Sequence, residues 1–228
     1  MEEYSIEIVD NHIIVVINGI RVLIDTGSPS SLSDGSVLTL LGNNYNNFTD
    51  NLQGFTIDDL NNFINARVNI LLGEDVLRNI NFFVDWDNRR ILFSIEPFQQ
   101  QGTFIPLNFF MGIPIVELEI NNERFNVFLD SGAKVSYLNQ ELTDNYEQIG
   151  EAEDFYPGFG NFTTNIYKVP VRLGNTEIII RAGNLPNILQ YTLHMANCRG
   201  ILGNEINNYF NVYFNLSIDQ LILIPKNL

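Results

Sequence analysis

Two short segments of the sequence place an aspartate directly before a hydroxyl residue and a glycine. Residues 22–28 read VLIDTGS and residues 127–133 read VFLDSGA, so Asp25 and Asp130 each follow an apolar run. Such a strand can deliver a carboxyl group to a tight turn at the floor of a cleft, because glycine permits the turn. Two carboxyl groups held close together share one proton, so one can act as general acid while the other acts as general base.

The chain repeats itself around these two motifs. Residues 70–73 (ILLG) follow the first motif and residues 201–203 (ILG) follow the second. We expect Gly73 and Gly203 to let this downstream strand pass close to the loop that carries the acid. Two further apolar segments follow in each half, at 82–85 and 90–93 and again at 212–215 and 220–223. The sequence therefore predicts an internal duplication, with one acid in each copy.

In these motifs the sequence resembles the aspartic peptidases, which carry Asp-(Thr/Ser)-Gly twice and an apolar-apolar-Gly element after each. Each half is similar to a retropepsin-like domain, and the two halves are joined in one chain as in pepsin-like enzymes. The resemblance covers nearly the whole sequence. It implies an all-β fold, the bilobal aspartic-protease (acid protease) fold, built from two homologous β-lobes with short helices.

A break in the pattern separates the two copies. Residues 96–102 (EPFQQQG) fit neither strand nor helix and are typical of a connection. We predict an N-terminal retropepsin-like lobe at 1–97, a linker at 98–102 and a C-terminal retropepsin-like lobe at 103–228. The terminal strands and the linker are expected to share a sheet beneath the cleft.

The resemblance implies an aspartic endopeptidase in which Asp25 and Asp130 activate a water that hydrolyses a peptide bond. The sharing of one proton by two adjacent carboxyl groups is the known behaviour of that family's dyad, which titrates as a unit. The substrate would lie extended between the lobes. No cofactor is expected, and His12 and His194 are too isolated to predict a metal site.

The residues beside the acids are expected to support them. Thr26 and Ser131 would hydrogen-bond across the junction between the lobes, which requires a hydroxyl group in each copy. Gly27 and Gly132 would let the backbone approach the carboxyl groups closely.

The fourth residue of the motif differs between the copies. Ser28 could donate a hydrogen bond to Asp25, whereas Ala133 offers Asp130 no such bond. We therefore predict that Asp130 holds the shared proton more often than Asp25 does.

The second copy is longer than the first, and the extra length lies near residues 156–162 (YPGFGNF). Aromatic residues around two glycines predict a mobile hairpin that closes over a ligand, so the C-terminal lobe would supply the flap. This differs from the pepsin-like arrangement, in which the N-terminal lobe supplies it. The predicted substrate contacts from this hairpin are Tyr156, Gly158, Phe159 and Gly160.

Composition limits the choice of partner. The 228 residues carry a formal net charge of -15 with only 12 Lys and Arg, so nucleic acid and anionic membranes are poor partners. The acids Glu2 and Glu3 argue against an export signal, and the single cysteine, Cys198, allows no intrachain disulfide. We expect a cytoplasmic monomer whose partner is a peptide or protein substrate.

Two other functions stay open at this point. The same scaffold could be a catalytically silent module that binds peptides, because a fold can persist without its chemistry. A self-processing enzyme that cuts copies of itself is a weaker alternative.

Strand patterns predominate along the chain, with a hairpin turn predicted at Asn18 and Gly19. Short helices are predicted at 36–41, 75–79, 139–146 and 204–209.

Overall fold

The protein is described by a computed structural model that covers residues 1–52, 54–156 and 159–226. Some segments alternate apolar and polar residues and form strands with one buried face, whereas continuous apolar runs form strands that are buried on both faces. In the N-terminal half these strands are β1 (Glu2–Val9), β2 (His12–Ile17), β3 (Ile20–Ile24), β4 (Leu32–Ser33), β5 (Leu38–Leu40), β6 (Asn43–Tyr45), β7 (Ile70–Leu72), β8 (Asn81–Asp85) and β9 (Arg90–Ser94). The helices of this half are α1 (Ile57–Ile64) and α2 (Glu74–Leu77).

The C-terminal half contains a similar series of strands, several of which are longer. They are β10 (Thr103–Pro106), β11 (Asn108–Phe110), β12 (Ile113–Ile120), β13 (Glu123–Leu129), β14 (Ser136–Leu138), β15 (Gln148–Tyr156), β16 (Gly160–Leu173), β17 (Thr176–Gly183), β18 (Cys198–Leu202), β19 (Phe210–Asn215) and β20 (Gln220–Pro225). Its helix is α3 (Gln190–Met195), and short 3-10 turns lie at Gln140–Leu142, Asn204–Asn208 and Leu216–Ile218.

One sheet contains strands from both halves. Its ten strands run in the order β10-β20-β19-β8-β9-β1-β2-β3-β7-β4. Strand β8 pairs antiparallel with β19, and Val84 lies opposite Val212. The halves are therefore joined by a backbone hydrogen-bond ladder as well as by the connecting chain, and the end of the molecule shares a sheet with its beginning.

The second sheet belongs to the C-terminal half. Its eight strands run in the order β11-β12-β13-β18-β14-β17-β16-β15, and β12 also pairs with β16. This extra pairing joins Leu118 to Leu173 and closes the sheet on itself. A closed sheet leaves fewer unpaired strand edges and gives a barrel-like half.

The duplication is visible in the strand pairing around each acid. Strand β3 pairs parallel with β7, with Leu23 opposite Leu71, and β13 pairs parallel with β18, with Leu129 opposite Leu202. In both halves the strand that ends at the acid therefore lies beside the strand that ends at the downstream glycine. The expected all-β fold of two β-lobes with short helices is confirmed.

The core is apolar and continuous between the halves. Phe82 of β8 and Phe214 of β19 are buried and stack with ring centroids 4.3 Å apart. Offset aromatic pairs of this kind add about 0.5–1.5 kcal/mol beyond the area they bury. This packing lies beneath the cleft and holds the two halves in a fixed relation.

Several local predictions differ from the structure. Residues 36–41 were predicted to be helical, but Leu38 and Leu40 are buried and Thr39 is exposed, which is the period of a strand, and β5 pairs with β6. Helix α1 was not predicted; Thr56 and Asp59 form a reciprocal capping box at its start. The predicted helix at 75–79 overlaps α2, whereas 139–146 and 204–209 contain only 3-10 turns.

Within the described ranges, every helix is too short or too polar to cross a lipid bilayer.

Candidate active site

Asp25 and Asp130 meet at the centre of the molecule. Each follows the last residue of its strand, and its backbone N–H donates to a carbonyl of the neighbouring parallel strand, Leu72 for Asp25 and Leu202 for Asp130, both at 3.0 Å. Side chains that leave the ends of two such strand pairs point towards each other. Each carboxyl group lies close against the motif glycine of the other half, so the two acids face each other across the junction.

Thr26 and Ser131 lock the two acid-bearing loops together. The N–H of Thr26 donates to Oγ of Ser131, and the N–H of Ser131 donates to Oγ1 of Thr26, both at 2.9 Å. The hydroxyl groups donate in turn to the carbonyls of Leu129 and Ile24, each also at 2.9 Å. All four bonds are buried and cross between the halves, so the spacing of the carboxyl groups is fixed by a symmetric network.

The motif glycines lie so close to the carboxyl group of the opposite half that no larger residue fits there. The N–H of Gly27 donates to Oδ1 of Asp25 at 2.9 Å, and the N–H of Gly132 donates to Oδ1 of Asp130 at 2.8 Å. A Cβ at Gly27 would overlap the carboxyl group of Asp130, and a Cβ at Gly132 would overlap that of Asp25. Any other residue at these positions would push the dyad apart.

The downstream glycines are also crowded. A Cβ at Gly73 would lie 2.7 Å from the backbone carbon of Ser30, and one at Gly203 would lie 2.6 Å from the carbonyl oxygen of Ala133. This agrees with the expected close passage of the downstream strand past each loop.

Ser28 does not make the bond expected from the sequence. Its hydroxyl group donates to the carbonyl of Ser30 at 2.8 Å and not to Asp25. The N–H of Ser28 donates to the backbone carbonyl of Asp25 at 3.4 Å, and that of Ala133 donates to the backbone carbonyl of Asp130 at 3.2 Å, so the two turns are alike. The fourth residue of the motif therefore gives no reason for the two acids to differ.

Burial and mutual repulsion disfavour ionisation of the pair. Burial, and then the charge of Asp130, raise the pKa of Asp25 well above its ordinary value. Burial raises the pKa of Asp130 to about 6, while the hydrogen bonds from Gly132 and Asp25 oppose the rise. The two acids therefore share a proton as a coupled pair, and the hydrogen bond from Ser28 on which the prediction for Asp130 depended is not made.

The dyad lies in a cavity of about 800 Å³ lined by both halves. A cavity of this size can hold several side chains of an extended peptide. Its walls are largely apolar. Apolar lining residues include Leu23, Phe55, Leu71, Ile113, Phe162 and Ile201.

The long hairpin β15–β16 of the C-terminal half covers this cavity, and Tyr156 pairs with Gly160 at its end. Tyr156 lines the cavity, and burial, followed by the charge of Asp130, raises its pKa. Phe159 is exposed, and neither Phe159 nor Gly160 is among the described residues that line the cavity. The fourth predicted contact, Gly158, lies outside the described residues.

Several residues at the site were not predicted. Phe155 of β15 stacks on Phe63 and Phe55 of the other half. The hydroxyl of Tyr137 in β14 donates to the carboxylate of Asp154, which lies beside Phe155 in the hairpin. The spacing of Phe55 and Phe63 around an amphipathic segment could have indicated an aromatic surface in the N-terminal half. Their pairing with Phe155 across the cleft depends on tertiary structure.

Within the part of the chain that the structure describes, no group of three or more His, Cys, Asp and Glu side chains converges on a point where a metal ion could bind.

No protein-family model matches the sequence, and no curated protein sequence matches it. Solved structures that are similar to this chain include a retropepsin-like aspartic protease from Rickettsia conorii, at 16% identity and a TM-score of 0.38, over 55% of this chain and 96% of that one. They also include a foamy viral protease-reverse transcriptase in complex with an RNA/DNA hybrid, at 14% identity and a TM-score of 0.34. That match covers 51% of this chain but only 12% of the viral chain.

Proposed function

We propose that this protein is an aspartic endopeptidase that hydrolyses peptide bonds through a water activated by Asp25 and Asp130. The observation that carries the proposal is the pair of adjacent carboxyl groups, one from each half, in one open cavity. Two adjacent carboxyl groups with raised pKa values supply an acid and a base in the same site.

The first step uses both carboxyl groups in opposite roles. Ionised Asp130 takes a proton from a water as the water oxygen attacks the peptide carbonyl carbon. Protonated Asp25 gives its proton to the carbonyl oxygen, so the product of this step is a tetrahedral gem-diol. No bond forms between the substrate and the protein.

The second step restores the dyad. Asp25, now ionised, takes a proton from one hydroxyl of the gem-diol as the carbonyl re-forms. Asp130 gives its proton to the amide nitrogen as the C–N bond breaks. The pair again carries one proton, and the products are a carboxylic acid and an amine.

The cavity supports binding of an extended peptide with apolar side chains. Leu23 and Leu71 from one half and Ile113 and Ile201 from the other lie on either side of the dyad. Burial of apolar side chains here would provide about 25 cal/mol for each Å² removed from water.

One chain supplies both acids, so we propose that the monomer is the active form. The single cysteine is compatible with a reducing compartment, and we propose that the protein acts in the cytoplasm. Activity that scales linearly with protein concentration, together with a monomeric mass in solution, would support the monomer as the active form.

The test is cleavage of an unfolded protein and of a mixed peptide library between pH 4 and pH 8. Wild type should cleave, and Asp25→Asn and Asp130→Asn should each lose at least about 1,000-fold in kcat, because each removes one role of the pair. A matched control is Asp144→Asn, which makes the same change at an exposed residue that does not line the cavity.

Peptide binding without cleavage, unchanged in Asp130→Asn, would instead identify a catalytically silent binding module. Cleavage that survives both dyad substitutions would contradict the assignment of the site.

A further inference from the structure

Glu74 is a buried acid close to the dyad that the proposed chemistry does not use. Its exposed fraction is 2%, and neither carboxyl oxygen receives a hydrogen bond from a described residue. A buried polar group without a partner costs about 1–3 kcal/mol, and more if it is charged. A carboxyl group in this position calls for a physical explanation.

The duplication gives Glu74 a counterpart in the other half, Asn204. Each residue directly follows the downstream glycine of its half. The N–H of Glu74 donates to the carbonyl of Ser28 at 2.9 Å, and the N–H of Asn204 donates to the carbonyl of Ala133 at 3.2 Å. Ser28 and Ala133 are the fourth residues of the two motifs, so the backbone settings correspond.

The side chain of Asn204 connects the two halves. Its Nδ2 donates to the carbonyl of Asn11 at 2.9 Å and to the carbonyl of Ser131 at 2.5 Å. Asn11 lies in the turn between β1 and β2, whereas Ser131 follows the acid of the C-terminal half. An amide N–H group therefore fixes the first hairpin of one half against the acid-bearing loop of the other.

The matching turn on the opposite side lies beside Glu74. Met111 and Gly112 connect β11 and β12 with positive φ values of 52° and 87°, as Asp10 and Asn11 do between β1 and β2 with 48° and 66°. A Cβ at Gly112 would lie 3.6 Å from Cβ of Glu74. From this repeat we expect the carbonyl of Gly112 to correspond to that of Asn11, and the carbonyl of Thr26 to correspond to that of Ser131.

A carbonyl group beside Glu74 can be bonded only by a donor, and a carboxylate is not one. A neutral carboxyl group has one O–H donor, so it can replace one of the two bonds that the Asn204 amide makes.

Burial is the main reason that Glu74 resists ionisation, and the charged groups around it act in both directions. Arg78 lies at the end of the same helix, but its guanidinium group donates to Asp219 and to the carbonyl of Leu216 and packs 3.9 Å from the ring centroid of Phe109. Asp25 and Asp75 both repel a negative charge at Glu74. Burial and these two acids outweigh the attraction of Arg78 and raise the pKa of Glu74 to about 8.

We propose that Glu74 is a positioning residue that works in its neutral form, donating its one carboxyl proton to the β11–β12 turn of the other half, as the Asn204 amide donates to the β1–β2 turn on the opposite side. Ionisation of Glu74 breaks this connection between the halves and adds a negative charge beside the dyad, which already carries one. The protein therefore contains a proton-dependent link next to its dyad. The effect on catalysis rests on the proposed peptidase function, whereas the link itself does not.

The pH dependence follows from linkage. An acid whose pKa is higher in the folded protein than in the unfolded chain contributes stability that is fully present below the unfolded value, 4.5 for Glu74, and is lost as pH rises through the folded value. The loss should therefore lie between about pH 5 and pH 9.

The test compares thermal unfolding of wild type, Glu74→Gln and Glu74→Asn across that range. Both variants carry a permanent N–H donor, and the second installs the residue found in the other half. Taking the difference between each variant and wild type removes the contribution of the dyad, which is common to all three. Glu96→Gln is the matched control, since Glu96 is exposed and the change in charge is the same.

We expect the Tm of wild type to fall by at least about 5 °C relative to Glu74→Gln between pH 6 and pH 9, which corresponds to a loss of one to a few kcal/mol for a chain of this size. Glu96→Gln should run parallel to wild type. An infrared band of a protonated carboxyl group near neutral pH should disappear in Glu74→Gln.

A difference between wild type and both variants that does not change with pH would overturn the proposal, and so would the absence of the infrared difference. Activity gives a further arm: kcat/KM of wild type should fall earlier at alkaline pH than that of Glu74→Gln, by about 10-fold at one pH unit above the transition. If the protein cleaves nothing, the unfolding and infrared results still decide the role of Glu74, and only the proposed function fails.

Discussion

The rings of Phe63 and Phe155 stack with centroids 3.4 Å apart and planes inclined by 12°. Phe63 lies in α1 of the N-terminal half, and Phe155 lies in β15, the first strand of the long hairpin of the C-terminal half. Phe55 adds a second stacked contact with Phe155 at 5.3 Å. The hairpin is therefore held closed over the cavity by aromatic contacts to the opposite half.

Replacement of Phe155 by Ala should loosen the hairpin and weaken substrate binding. Stacked aromatic pairs are worth about 0.5–1.5 kcal/mol each beyond buried area, so we expect KM to rise by about 2- to 10-fold. Steady-state kinetics and faster hydrogen exchange along β15 would measure this. Phe159→Ala is the control, because Phe159 is exposed and packs near Phe162 of its own hairpin. Equal effects of the two substitutions would contradict a specific role for the contact with α1.

Loss of the hydroxyl group at Thr26 should destabilise the whole molecule. Thr26→Val leaves the N–H of Ser131 and the carbonyl of Leu129 without their buried partner, at a cost of about 2–5 kcal/mol. This corresponds to a fall in Tm of roughly 5–15 °C, measurable by calorimetry. Thr26→Ser should stay within about 1 kcal/mol of wild type, because the other half already uses serine at the same place. If the serine variant is as unstable as the valine variant, the hydroxyl network is not the cause.

The sequence predicts the parts of the site that depend on repeated local patterns. Alternating apolar residues identify the strands, and the two Asp-(Thr/Ser)-Gly motifs identify the carboxyl groups that the structure brings together. The shared sheet beneath the cleft could also be expected, because the strands at 82–85 and 212–215 repeat each other. These features need only residue types and spacing.

Other features depend on where a side chain points after folding. Ser28 was expected to face Asp25, but the turn directs its hydroxyl group to Ser30. Glu74 looked like an ordinary helix start, and only the pairing of its half with the β11–β12 turn shows that it is buried. Residues 36–41 contain too few positions to separate a strand period from a helix period.

Removal of the Ser28 hydroxyl group should leave the titration of the dyad unchanged. Because this hydroxyl donates to the carbonyl of Ser30, Ser28→Ala deletes no bond to Asp25. The pH profile of kcat/KM should superimpose on that of wild type within about 0.2 pH units, since a lost hydrogen bond to a charged group would move it by about one unit or more. Ala133→Ser should be equally silent. A clear shift in the Ser28→Ala profile alone would restore the interaction that the sequence suggested.

Neutralising one acid of the dyad should stabilise the protein at neutral pH. The pKa of each acid is higher in the folded protein than its ordinary value of 3.8, so the stability that each contributes is present below that value and is lost as pH rises. Asp25→Asn removes the repulsion between the two carboxyl groups, and its Tm should exceed that of wild type by several degrees at pH 7 but not at pH 3. Calorimetry at both pH values tests this, with Asp144→Asn, a change at an exposed carboxyl group, as the control. A Tm difference that is the same at both pH values would mean that the carboxyl groups do not share a proton.

The pH profile of kcat/KM should have an acid limb and an alkaline limb, set by the two apparent pKa values of the coupled pair. Below about pH 6 Asp130 becomes protonated, and the base that accepts the proton of the water is lost. At the upper pKa, which burial and the charge of Asp130 set well above the ordinary value for Asp25, the acid is lost instead. Activity should therefore be greatest above pH 6, and the acid limb should fall tenfold for each further pH unit. Full activity at pH 4 would show that Asp130 remains ionised there and that burial does not control its titration.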